Sequence, residues 1–592
     1  MKIPINEWNL NSIFSNKNNY QEFRQFLNTL DSDLHFFCEQ LDYLESPRDI
    51  LPSNIQSLFK KLQDIIERLG LANGYLVCLQ TDQVNVIKYK KIVTRLLSSY
   101  FTASFFVDYY IGKIPEENWS IIISDELVYP ISFSLEKRRY NSRSFTSPTV
   151  IRIINSLTPI GLHSWEELHS TLLKKVEIET QRKIKHFSNI KTNEFNMHEN
   201  IRKQEFEIRN KTLFENQDLF ASILNNLSGF RLAIYEVLNK DSFLTEALFD
   251  INNMSETSLW KMWEVIELNK DKLHKYLKIK AEILGKDRLS WEDLNAPILK
   301  SDNTVEHSQS VDLIIDGLSS FSTDFKEFIH TFFQESWIKS ENDPTKKRCA
   351  FSLNFANKKQ SRVYINVPND LSYTTTLAHE LGHAYHYHVL YDLPILSQNY
   401  SLSMAETASA LTELIVTDSI INEQSSVKNI LSYMNLKMEN NVVFLLDIYS
   451  RFLFEYELYQ NRQHGVLNSE RLNELMEHSQ KKAFGNMIEN YNPSSWCSKN
   501  HYYKTMVPFY NFPYAFGCLF SNFLLSRFKQ NSTDFVKNFE QLLKDTGSMT
   551  IENLILKHFN LNLQENYFWQ EAMDCIINDL EKFEETVNTH RD

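Results

Sequence analysis

At 592 residues the chain exceeds what one hydrophobic core usually serves, so two lobes or domains are expected. Its composition is 42% hydrophobic and 23% charged with only 12 Gly and 14 Pro, which favours long helices over many-turned sheets. A formal net charge of −13 argues against a nucleic-acid partner or an anionic membrane face, because both would on balance repel the chain.

The opening MKIPINEWNLNSIF has no long apolar stretch or small-residue cleavage site, and no apolar run elsewhere approaches the roughly 20 residues that span a bilayer. Six cysteines without a C-x-x-C pair fit reduced thiols better than a disulfide framework or a zinc-cysteine site. The expectation is a soluble cytoplasmic protein without membrane insertion.

From Trp8 to about residue 180 the pattern is one amphipathic helix after another, as in LQDIIERLGLANGYLVCLQ, punctuated by Pro47, Pro52, Pro115 and Pro130. A highly charged stretch from Lys185 to Lys211 follows and reads as a linker or an exposed helix. The division is placed near residue 190, giving an N-terminal helical lobe over 1–190 and a catalytic domain over 191–592. Short basic runs such as Lys346, Lys347 and Arg348 read as solvated surface.

Helices resume with DLFASILNNLSGFRLAIYEVLN, and then CAFSLNFANKKQSRVYINVP alternates β-branched and aromatic residues with polar ones. A small sheet is therefore predicted just before residue 370, with Arg362 to Val367 as an exposed strand able to hold an extended peptide through main-chain hydrogen bonds. No two glycines are separated by a single residue, which removes the glycine-rich phosphate loops.

The segment TTTLAHELGHAYHYHVL reads as a helix, with Asp370 and Ser372 available as caps and Pro394 beyond its end. Residues four apart share a helix face, so His379 and His383 can converge on one zinc ion with Glu380 beside the site. The bland alternative is a solvated face that happens to carry two histidines. A catalytic zinc takes three protein ligands, and Glu406 in SMAETASALTE is the candidate for the third.

Ser403 to Glu406 also spells S-x-x-E, a capping box in which the glutamate would only satisfy a backbone donor. Glu413, seven residues on, lies on nearly the same face and is read as the carboxylate that orients a ligating imidazole. His386 and His388 on the motif helix are assigned structural roles.

These residues resemble the oligoendopeptidase F branch of the thimet oligopeptidase family of zinc metallopeptidases. TLAHELGHAYH resembles its signature helix and AETASALTE its third-ligand helix. EWNLNSIF, ILNNLSGFRLAIYEVLN, LSWEDLNAPI and HYYKTMVPFYNFPYAFG also look like their counterparts, so the resemblance covers most of the chain. The chain departs from the family at KKRCAFSL, where Arg348 and Cys349 stand in place of a glycine-rich run.

The resemblance implies a mainly α fold: two helical lobes enclosing a deep substrate channel, with a small β-sheet beside the metal-binding helix. It implies one zinc ion on His379, His383 and Glu406, with Glu380 as general base. His501, Tyr510 and Tyr514 would donate hydrogen bonds to the tetrahedral intermediate. The substrates would be short unfolded peptides. A dedicated exopeptidase or peptide-processing enzyme with the same site is the alternative within chemistry, and a catalytically silent peptide-binding protein the alternative outside it.

Overall fold

The computed structural model describes residues 8–15, 20–41, 43–44, 50–79, 83–143, 147–180, 183–186, 196–299, 306–319, 321–343, 346, 348–423, 426–530 and 532–590. Helices dominate the described residues, as the scarcity of chain-breakers predicts. The helix Pro52–Cys78 shows the local reason. Pro52 sits in its first turn, where no backbone donor is lost, and Ile55, Phe59, Leu62, Ile65 and Leu69 bury one face at three- and four-residue spacing.

The charged stretch is more structural than its composition suggests. Strands β1 (Glu177–Thr180) and β2 (Lys183–His186) pair antiparallel at its start, and Glu199–Glu215 is a helix. Residues 187–195 lie outside the described residues, as does Lys347 of the basic run. Arg202 is only 3% exposed and its guanidinium donates to Asp293 at 2.6 Å. Asp293 also accepts from Lys286 and from the Ser290 backbone, so the segment LSWEDLNAPI anchors this helix through paired charges.

The predicted sheet is present as β3 (Ile338–Glu341), β4 (Cys349–Phe355) and β5 (Gln360–Asn366), in the order β3-β5-β4. β3 runs parallel to β5 with Ile338 opposite Val363, and β4 runs antiparallel to it with Cys349 opposite Asn366. The expectation of an exposed strand at Arg362 to Val367 is therefore corrected. β5 is the central strand, paired on both sides, and β4 forms one of the two edges.

The burial of β5 comes from the start of the chain. The Trp8 indole donates to Val363 O at 2.9 Å, and Arg362, which is fully buried, donates to Asn9 O at 2.8 Å and Ser12 Oγ at 2.9 Å. The N-terminal helices share one apolar cluster with Phe355, Tyr364 and Leu396. A second cluster joins residues between Leu162 and Leu227 to residues between Phe454 and Tyr503, and a third holds the rest of the core. A division of the chain near residue 190 stays a proposal.

Three helices of the third cluster position the site: the motif helix Leu371–Leu390, the glutamate helix Leu402–Glu423 and the tyrosine helix Phe512–Gln530. The glutamate helix lies between the other two, and a glycine makes each contact possible. A Cβ on Gly382 would fall 2.7 Å from Ser409 Cα and 3.0 Å from Ala408 O. One on Gly517 would fall 2.9 Å from Glu406 Cβ and 3.2 Å from its carbonyl carbon.

Gly382→Ala is therefore expected to destabilise the protein, because overpacking of about 1–3 kcal/mol outweighs the roughly 1 kcal/mol gain in helix propensity. Gly70 is an exposed position of the Pro52–Cys78 helix, between buried Leu69 and Leu71, with nothing within 4 Å of an added Cβ, and Gly70→Ala should raise stability. Thermal midpoints of the two variants check the pair. A Gly382→Ala midpoint at or above wild type would refute the close approach.

Candidate metal centre

The motif helix starts where the sequence places it. The Asp370 side chain accepts from the Ser372 backbone N–H at 2.9 Å and caps the helix. Nine residues into that helix, His379 and His383 share a face, their ring centroids 4.9 Å apart and nearly perpendicular. One ligand atom each from His379, His383 and Glu406 lies within 4.8 Å of the others. The His379 and Glu406 side chains are 23% and 12% exposed.

Glu406 reaches this position because it does not cap its own helix. Ser401 Oγ accepts from the Met404 backbone instead, while Ser403 lies inside the helix and donates both its N–H and its hydroxyl to Asn252 Oδ1. The Glu406 carboxylate approaches His379 Nε2 at 3.5 Å. On the other side of the same ring, His379 Nδ1 meets Glu413 Oε2 at 3.2 Å, and Glu413 Oε1 accepts from Asn440 at 3.1 Å. Glu413 thus orients the imidazole and Glu406 faces the nitrogen left for a ligand.

Two imidazoles and one carboxylate are the donor set of a catalytic zinc site with an open fourth position, and the electrostatics fit a cation. Burial alone would push His379 down, but the hydrogen bonds and charges of Glu406 and Glu413 outweigh it and hold His379 well above its ordinary value. His383 moves the other way, to about 4, because of burial and then the His379 charge. It is the neutral imidazole that a ligand requires.

Glu380 is 7% exposed, and burial pushes its carboxyl up to about 7, with the charges of Glu406 and Glu413 adding to burial and His379 opposing it. From the tyrosine helix, the Tyr514 hydroxyl donates to Tyr510 Oη at 3.2 Å. Burial, followed by the negative charge of Glu406, raises the Tyr514 phenol far above its usual range, and Glu380 contributes as well. Tyr514 therefore shares the electrostatic environment of the two glutamates and stays protonated.

His501 lies beside these tyrosines, 5.1 Å from the Tyr510 ring centroid and stacked at 6.5 Å on Tyr514. Burial first, and then the Arg451 charge, lowers it to about 4, so it is neutral. His386 is fully buried, stacked on Tyr400 at 3.9 Å, with Nε2 3.0 Å from Thr546 Oγ1. His388 packs against Phe328 with centroids 4.6 Å apart. Neither belongs to the group of ligand atoms.

Several residues of this arrangement have no motif of their own. Asn440, Arg451, Asn511 and Phe444, whose ring stacks on Tyr514 at 6.4 Å, become visible only through tertiary contacts. Gly382 did carry a signal. A glycine inside a strong helical pattern lowers helix stability and calls for a packing reason.

Residues 320–575, which hold His379, Glu380, His383, Glu406, Glu413, His501, Tyr510 and Tyr514, match peptidase family M3. The chain is 24% identical over 366 residues to group B oligopeptidase PepB of Streptococcus agalactiae, covering 60% of this chain and 59% of that protein. An oligoendopeptidase F homologue of Borreliella burgdorferi is 23% identical over 566 residues, 92% of each chain. The matches to the S. agalactiae protein and to a Lactococcus lactis oligoendopeptidase F homologue span 59% and 56% of those proteins.

The fold is also that of the oligoendopeptidase-F from Enterococcus faecium, with a TM-score of 0.70 at 16% identity over 96% of this chain and 99% of that one. A Chlamydophila abortus structure aligns with a TM-score of 0.81 at 20% identity, over 98% of this chain and 100% of that one. The resemblance to the oligoendopeptidase F branch and the mainly α reading are both borne out.

Exchanging the two glutamates separately should resolve their roles. Glu406→Gln is expected to lose most zinc in equilibrium dialysis, whereas Glu413→Gln should weaken binding by about 10–100-fold while leaving a measurable site. Metal retained by Glu406→Gln and lost by Glu413→Gln would reverse the assignment.

Proposed function

We propose that the chain is a zinc endopeptidase that hydrolyses short, unfolded oligopeptides in the cytoplasm. The supporting observation is the convergence of His379, His383 and Glu406 beside a buried Glu380 and a protonated Tyr514. His379, Glu380 and His383 come from the motif helix, Glu406 from the glutamate helix and Tyr514 from the tyrosine helix. His379, His383 and Glu406 would hold one zinc ion, which when bound supplies a Lewis acid that polarises the scissile carbonyl and acidifies water.

The chain's own residues then account for the rest. Glu380, buried beside His379 and His383, accepts the proton of the attacking water and delivers it to the leaving amine. Tyr514 and Tyr510 offer phenolic donors where negative charge develops on the carbonyl oxygen. His501 sits in the same aromatic group and contacts the substrate.

An extended peptide has a place to lie. Val363 N donates to Trp337 O at 3.0 Å, which turns the Val363 backbone towards β3 and that of Tyr364 towards β4. Pairing of Phe351 with Tyr364 then leaves the backbone groups of Ala350, Ser352 and Asn354 facing away from β5 along the β4 edge. Addition of a peptide strand there selects chains that can be extended, and so excludes folded proteins.

Glu380→Gln is expected to retain zinc and lower kcat/KM for an oligopeptide about 10²–10⁴-fold, and Tyr514→Phe should lower kcat about 10²–10³-fold. A fully active Glu380→Gln would remove the general-base role. Mass analysis of products from peptides of graded length distinguishes internal cleavage from trimming of one end.

A further inference from the structure

His501 faces two demands that cannot both be met by one tautomer. To donate to an oxyanion from the ring edge away from Asn511, a neutral imidazole must carry its proton on Nε2. The contacts on its other nitrogen place the proton elsewhere. His501 Nδ1 lies 2.6 Å from Asn511 Oδ1.

Which end of the Asn511 amide faces the ring is decided by Arg451. Its Nη1 approaches the same Asn511 Oδ1 at 3.5 Å, while its Nη2 is held by Asp447 one helical turn away. Guanidinium has donors only, so the amide atom turned towards it must be the oxygen. The opposite orientation would set an amide NH₂ against a buried cation. Asn511 is 1% exposed, and its Nδ2 has no partner among the described residues, a cost accepted to keep Oδ1 where it is. An oxygen facing Nδ1 requires a proton on Nδ1.

We infer that Arg451 and Asn511 are positioning residues that fix His501 in the Nδ1–H tautomer, so that its Nε2 offers the cleft a hydrogen-bond acceptor for a substrate backbone N–H. The low proton affinity of His501, caused by burial and the Arg451 charge, fits this assignment, because an imidazolium would have no acceptor. The two functions opposite the zinc ligands are thereby divided. Tyr510 and Tyr514 donate, and His501 accepts. The tautomer is independent of any activity, whereas the substrate N–H rests on the peptidase reading.

Neutron diffraction from deuterium-exchanged crystals of the full chain tests the tautomer. A deuteron on His501 Nδ1 with Nε2 bare is expected, and a deuteron on Nε2 overturns the inference. The positioning role is tested by ¹⁵N-histidine spectra of Arg451→Met, in which the Nε2–H form should become readily detectable, and of Arg451→Lys, which should restore the wild-type form. Should Arg451→Met fail to fold for want of a partner for Asp447, Asn511→Leu removes the acceptor without changing charge. An unaltered tautomer in the folded variant overturns the role.

For the substrate half, peptides N-methylated at successive amides are compared on wild type and His501→Ala. One position should cost wild type about tenfold in kcat/KM and His501→Ala no more than about twofold. If no position behaves so in an active enzyme, the accepted N–H is refuted. A chain without peptidase activity would instead refute the proposed function and leave the tautomer standing.

Discussion

The site depends on how closely three helices approach. The glutamate helix is pressed between the motif helix and the tyrosine helix, and at both contacts the nearest groups include backbone: Ser409 Cα and Ala408 O on one side, the Glu406 carbonyl on the other. Backbone does not yield as a side-chain tip does, so Gly382 and Gly517 set the spacing. Glu406 consequently meets His379 because of where its helix lies, with little freedom for either side chain to choose otherwise.

Such spacing gathers three carboxylates, Glu380, Glu406 and Glu413, that are buried or largely covered. Burying that much negative charge is unfavourable unless it is matched. The His379 ring is the match within the chain, gripped at both nitrogens by Glu406 and Glu413. The same excess of negative charge makes the site receptive to a divalent cation and, after burial, helps to keep the Tyr514 phenol protonated. The grouping of His379, His383 and Glu406, the raised carboxyl of Glu380 and the protonated Tyr514 phenol thus follow from one packing arrangement.

The parts of this picture legible in the sequence are those fixed by local periodicity. His379 and His383 are four apart on a helix whose cap, Asp370, is also local. Glu406 was ambiguous, since Ser403 formed a capping pattern with it, and the ambiguity is removed by Asn252, 151 residues away. Alternation located the sheet but could not order it, because a central strand and an edge strand share the same period. Only Trp8, Asn9 and β3, distant in sequence, make β5 the centre. The Arg451–Asn511–His501 relation is likewise tertiary and leaves no mark on spacing.

The bond from Trp8 to Val363 joins residues 355 positions apart. During synthesis, Trp8 emerges long before the strand it must dock on, so the N-terminal helices remain uncapped by the sheet until Val363 has been made. Tyr514 emerges later still. The group formed by the motif, glutamate and tyrosine helices therefore cannot assemble on a nascent chain that ends before Tyr514.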